Sequence, residues 1–286
     1  MTMNWKNFVA NHYTRRRSWF YPLISLAVAV SLCLSTPMPG DAFDIRSLLF
    51  QGIQVIQMSN LSDRQEVELG RQMNQELQNS DIRFSRNSQI NRYVEQIGER
   101  LVAKSDRPNL PFTFQVVEDD AINAFATLGG FVYVHTGLLK AANNEAELAS
   151  VIAHEIGHIG GRHLVKQMRQ RAIANGIASV ARLERNAAVG IGLELAVNRP
   201  RSRQDELDAD HRGLLALTKA GYAPSAMISL MEKLMRNGGY MPTILSTHPG
   251  TGDRINALQS SINSEFSNQG GGLDSAAYRA SIRSIL

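Results

Sequence analysis

From Leu61 onward the apolar residues recur mostly at helical spacing. Val67, Leu69, Met73 and Leu77 follow Ser62-Asp63-Arg64-Gln65-Glu66, a capping signal with an acidic first turn, and predict a first helix. Ile90, Tyr93, Val94, Ile97 and Leu101 share one side of a second helix over residues 87–104, which Pro108 and Pro111 end. Residues 112–117 alternate and are rich in aromatic and β-branched types, so they read as a strand. Gly129-Gly130 precedes a second short strand, 131–135, and the two strands are expected to form a hairpin. Residues 144–163 predict a long helix, apolar around His154 as a buried helix should be. The Ala-rich stretch 164–197 predicts two helices broken near Gly176 or Gly190. Further helices are expected over 202–220, from Pro224 to Arg236, and over 253–266, with a loop at 237–252. The Gly270-Gly271-Gly272 run reads as a flexible linker to a short terminal piece. The expected fold class is α+β, mostly helical with a small sheet, in one domain over 62–267 and a Gly-rich tail over 268–286.

The first 61 residues do not follow this pattern. Residues 1–17 are polar and end in Arg15-Arg16-Arg17, an apolar run extends over 19–34, and small and polar residues follow to Ala42. That order is the order of a secretory signal peptide, with Phe43 as the mature start and 43–61 as a connecting segment. The alternative is a retained N-terminal anchor, although the run is shorter than the roughly 20 residues that a relaxed span prefers. Export to a periplasm or envelope is expected on either reading, with 19–34 as the membrane contact on the second.

Composition narrows the function. The chain has 286 residues, 43% of them hydrophobic, which suits a globular protein. Of its net charge of +4, three charges lie in residues 1–42, so the rest is nearly neutral and a nucleic-acid partner is not expected. A single cysteine, Cys33, excludes a disulfide framework and a cysteine-based zinc ribbon.

The chemistry concentrates in His154-Glu155-Ile156-Gly157-His158. Histidines at i and i+4 project from one helix face, close enough to grip one metal ion. Neutral imidazoles suit Zn2+, and Glu155 between them can reach a water at the metal without being a ligand. Both histidines have apolar flanks and need partners if buried, which a metal supplies. A third ligand is required. His163 is one residue short of the third-histidine position of the three-histidine pattern, and on a continuing helix it would be rotated by about 100°. It is therefore assigned a supporting role. Glu206 is the better candidate: Glu206 and Asp210 share a face of another helix, so Glu206 can bind the metal while Asp210 accepts the outer N–H of a ligand histidine.

With these residues in place, the sequence resembles the M48 metallopeptidases, which include the HtpX-like and CAAX prenyl protease groups. Asn123-Ala-Phe-Ala126, residues 129–137, His154 to His158 with Arg162-His163, Glu206-Leu-Asp-Ala-Asp210, Thr247-His248-Pro249 and Asp253-Arg254-Ile255 match in order and spacing, from about Asp63 to Phe266. The resemblance implies a zincin-like domain whose sheet lies beside the HExxH helix. It implies one zinc per chain on His154, His158 and Glu206, with Glu155 as general base. His248 is the candidate oxyanion donor, and the resemblance suggests the alternative that it occupies the open zinc position at rest. Asn123 and the strand bearing Val132 and Val134 resemble the family's substrate-facing edge, where a peptide adds as a strand. Arg254 is expected to contact substrate or the Glu206 helix.

The leading function is a zinc endopeptidase acting on misfolded or unassembled envelope proteins. The alternative is an envelope chaperone or assembly factor with little proteolysis. A purely structural zinc protein would have no use for Glu155.

Overall fold

The computed structural model describes residues 61–174, 185–198, 200–236, 242–262 and 268–286. The expected signal or anchor at 1–42, the helix break near Gly176 and the Gly238-Gly239 loop lie outside the described residues.

The predicted helices form, with shifted ends. Helix α1 (Asp63–Asn79) opens on a capping box between Ser62 and Gln65, and α2 (Ser88–Val102) is capped by Asn87. Next come the three strands β1 (Thr113–Val117), β2 (Ala124–Ala126) and β3 (Phe131–His135), then the short helix α3 (Thr136–Ala141). The motif helix α4 (Glu145–Gly160) is capped by Asn144, and nearly all of its residues are buried. Helices α5 (His163–Ala174), α6 (Arg185–Leu193), α7 (Arg203–Lys219), α8 (Ser225–Arg236), α9 (Thr243–Thr247), α10 (Thr251–Ser261) and α11 (Ser275–Ser281) complete the described α-helices. Gly190 lies inside α6, so the chain does not break there.

The sheet differs from the expected hairpin. Its order is β1-β3-β2, with β1 parallel to β3 and β2 antiparallel to it. The hairpin partner of β3 is thus the three-residue β2, which is too short to carry an alternating signature. Val132 and Val134 sit in the central strand, fully buried, with main chains paired to β1 on one side and β2 on the other. They cannot offer a free edge to a peptide. The terminal strands are β1 and β2.

The main core packs α2, the sheet, α4, α7 and α8 together. The crossing of α4 and α7 is unusually close. A Cβ on Gly157 would overlap the carbonyl oxygen of Ala209, and one on Gly213 would lie 3.0 Å from the Ala153 carbonyl. Only glycine permits this approach, which brings His154 and His158 up to the first turns of α7. The glycine run after residue 269 is not a loose linker. Gly271 N–H donates to Gly221 O (2.7 Å), Gly272 O accepts from Ala146 N–H (2.9 Å), and Gly272 needs its positive φ of 84° to make that turn. Tyr278 beyond it is buried, its hydroxyl donating to Leu139 O.

Candidate metal centre

Four side chains from three elements converge in the interior. His154 and His158 come from α4, Glu206 from the first turn of α7, and His248 from the end of α9; all four are buried, and their donor atoms lie within 4.8 Å of one another. His154 Nε2 is 3.0 Å from His158 Nε2 and 3.2 Å from His248 Nδ1. Glu206 Oε1 is 3.2 Å from both His158 Nε2 and His248 Nδ1, and its Oε2 is 3.5 Å from His154 Nε2. Four donors around zinc at about 2.0–2.1 Å define a tetrahedron with edges of about 3.3 Å, so these spacings fit that ion. They are harder to satisfy by hydrogen bonding alone, because three imidazole nitrogens face one another. Glu155 provides a second test of fit: it is fully buried and neither of its oxygens accepts a hydrogen bond. The imidazole nitrogen His248 Nε2 lies 3.5 Å from Glu155 Oε1. A buried carboxylate in that condition calls for a proton donor in the space beside it.

The electrostatics favour a cation at the centre. Burial alone would raise the Glu206 pKa, but the histidines around it, His248 foremost, hold it far below the carboxylate range. Burial and the Arg254 charge oppose a proton on His154, yet the Asp210 hydrogen bond and charge, with Glu206, push it up to about 9. The carboxylates that favour a proton at His154 Nε2 would equally favour a divalent ion there, with release of that proton. Burial, then the charges of Arg201 and His154, hold His158 well below the usual histidine range.

The outer nitrogens are tied down. His154 Nδ1 donates to Asp210 Oδ1 (2.8 Å), as the i, i+4 spacing of Glu206 and Asp210 implied. Arg254 grips Asp210 through two bonds of 2.7 Å and reaches Glu206 Oε2 at 2.9 Å and the His248 carbonyl at 3.2 Å. Arg254 thus joins the Glu206 helix, and it also lines the apolar pocket beside the cluster. His163 has the supporting role, but for a reason the sequence reading lacked: α4 ends at Gly160, and Arg162, with φ of 53°, reverses the chain. His163 Nε2 donates to Asp208 Oδ2 (3.0 Å), so its Nδ1 accepts from His158 Nδ1 (2.8 Å), which leaves His158 Nε2 free for the centre. Asn123 stands just before β2, buried, with its amide oxygen unpartnered.

Beside the cluster, Ser150, Val151 and His154 of α4 form one wall of an apolar pocket closed by Met227, Leu230, Met231 and Leu234 of α8 and Ile244 and Leu245 of α9. No motif announced this pocket, because its lining comes from three separated helices.

The family model for peptidase family M48 matches residues 88–262, more than half of the chain. The chain is similar to the beta-barrel assembly-enhancing protease of Escherichia coli strain K12, 32% identical over 207 residues that cover 67% of this chain and 42% of the relative. It is similar to the mitochondrial metalloendopeptidase OMA1 of Schizosaccharomyces pombe, 30% identical over 58% of this chain and 51% of the relative. Metalloprotease LoiP of Escherichia coli strain K12 is 26% identical over 84% of this chain and 97% of the relative. The chain therefore spans about half, or less, of the length of the first two relatives.

Proposed function

The chain belongs to peptidase family M48, a family of zinc metallopeptidases, and we propose that it is a zinc-dependent endopeptidase. In this reading His154, His158 and Glu206 hold the metal and Glu155 is the general base. The observation that carries it is the convergence of four buried donor atoms beside a carboxylate with no hydrogen-bond partner. Zinc held there would act as a Lewis acid, acidifying water and polarising a peptide carbonyl. Glu155, with both oxygens free, takes the proton of the attacking water and returns it to the leaving amine. His248, whose Nδ1 lies among these donor atoms, would add a further ligand in the absence of substrate, and its Nε2–H would be a donor for the developing oxyanion when it is not bound to the metal. The pocket between α4, α8 and α9 takes an apolar side chain of the substrate. Asn123 and the edge strand β2 are the candidates for main-chain contact.

The similarity to relatives named beta-barrel assembly-enhancing protease supports our reading that the substrates of this chain are misfolded or unassembled envelope polypeptides. Export by residues 1–42 suits that role; 1–42 act as a signal or as an anchor through 19–34, and N-terminal sequencing of the protein from cells decides between them. No described helix is long and apolar enough to cross a membrane.

The test of catalysis is degradation of an unfolded protein by the full chain, beside Glu155→Gln and a chelated control. Turnover that is lost in both controls is expected. No cleavage by a zinc-loaded wild type overturns the endopeptidase reading. One observation favours a second reading, a chaperone or assembly factor kept latent: His248 already sits among the donors. That reading requires client binding by Glu155→Gln without turnover by the wild type.

A further inference from the structure

Beside His158 lies a buried cation whose terminal nitrogens find no hydrogen-bond partner among the described residues. Arg201 is 4% exposed, and neither Nη1 nor Nη2 has a hydrogen-bond partner. A guanidinium keeps its proton under all ordinary conditions, so its burial asks for acceptors. Its position is fixed from both sides. Arg201 N–H donates to Thr247 O (3.2 Å), next to His248, and Ser202 caps the helix that carries Glu206.

Arg201 lines a small pocket with Glu66, Thr127, Leu128, His158 and Arg162. Thr127 is also buried, and its hydroxyl has no closer partner than the phenol of Tyr133. Glu66 does not serve Arg201, because Arg107 holds both of its oxygens, at 2.9 and 3.1 Å, and Arg162 shares the second at 3.1 Å. The lining therefore contains two guanidiniums and one carboxylate, and that carboxylate is already shared with a third guanidinium. An anion with two acceptor oxygens would complete it.

We propose that this pocket receives a carboxylate of the peptide substrate, held two-pronged by Arg201 Nη1 and Nη2 and by the Thr127 hydroxyl. The substrate as source of that carboxylate rests on the endopeptidase reading. The pocket is lined by His158 and Ile159, about one helical turn along α4 from the wall of the apolar pocket at Val151 and His154. An extended peptide rises about 3.3 Å per residue, so the carboxylate belongs within a few residues of the cleaved bond. An acidic side chain and a C-terminal carboxylate share this chemistry.

The test is calorimetric titration of the zinc-loaded full chain carrying Glu155→Gln, which reads binding without turnover. The probes are N-acetylated alanine hexapeptides with one leucine. One series is scanned with Glu against Gln at each position, and a second pair ends in a free acid or an amide. At least one charged peptide is expected to bind about tenfold or more tightly than its neutral twin, and the series in which that gap falls identifies the source. Adding Arg201→Gln should erase the gap, and Arg201→Lys, which keeps charge without the fork, should leave part of it. Equal binding of every pair, including no binding at all, overturns the proposal, as does a gap that survives Arg201→Gln in a folded chain. Failure of the endopeptidase reading would show separately, as absent Glu155-dependent cleavage by the wild type.

Discussion

His154 and His158 stand one helical turn apart and face the same centre, but the protein supports them by different means. The outer nitrogen of His154 meets a carboxylate directly, Asp210, which is 4% exposed at its side chain and clamped by the buried Arg254. The outer nitrogen of His158 meets a neutral imidazole, His163, which relays to Asp208, 38% exposed and paired with Arg212. One support is a dry ionic lattice; the other is a hydrogen-bond relay that ends in solvent. Charges removed from water have fewer alternative partners, so the His154 side carries more of the energetic weight.

Asp210→Ala should have the largest effect. It removes the partner of His154 and leaves the Arg254 charge buried, which costs about 3–5 kcal/mol and lowers Tm by roughly 10 °C. Zinc affinity should fall about 10- to 100-fold in a chelator competition. Gly157→Ala breaks the comparison from the middle, because the added methyl forces α4 away from Ala209 and draws both histidines away from Glu206 together. The expected cost is about 1–3 kcal/mol with weaker zinc binding, read by thermal unfolding and metal titration. His163→Ala should touch only the His158 side, lowering zinc affinity about tenfold while Tm moves less than in Asp210→Ala. Asp208→Asn should be mildest, within about 0.5 kcal/mol and about twofold in zinc affinity, since water can replace the lost acceptor. Equal losses from Asp210→Ala and His163→Ala would show that the two supports are equivalent after all.

The parts of this site that were legible in the sequence are those written at helical spacing. His154 and His158 share a face, as do Glu206 and Asp210, and the capping signal at Ser62 announced its helix. The parts that were not legible depend on where the chain turns. The role of His163 follows from the reversal at Arg162, which a continuing helix would not allow. The parallel pairing of β1 with β3 depends on Ala124-Phe125-Ala126, a strand too short and too poor in β-branched residues to signal itself. Arg201 belongs to no motif, and only its burial and its empty hydrogen-bonding capacity mark it.

The central claim is that a single zinc is held by His154, His158, Glu206 and, at rest, His248. X-ray absorption at the zinc edge of the purified full chain tests it most directly, with His248→Ala measured beside it. The account predicts three imidazoles and one carboxylate around zinc in the wild type, and one imidazole fewer in His248→Ala. Spectra with two imidazoles that do not differ between the proteins would remove His248 from the centre. A wild type that retains no zinc would contradict the account at its foundation.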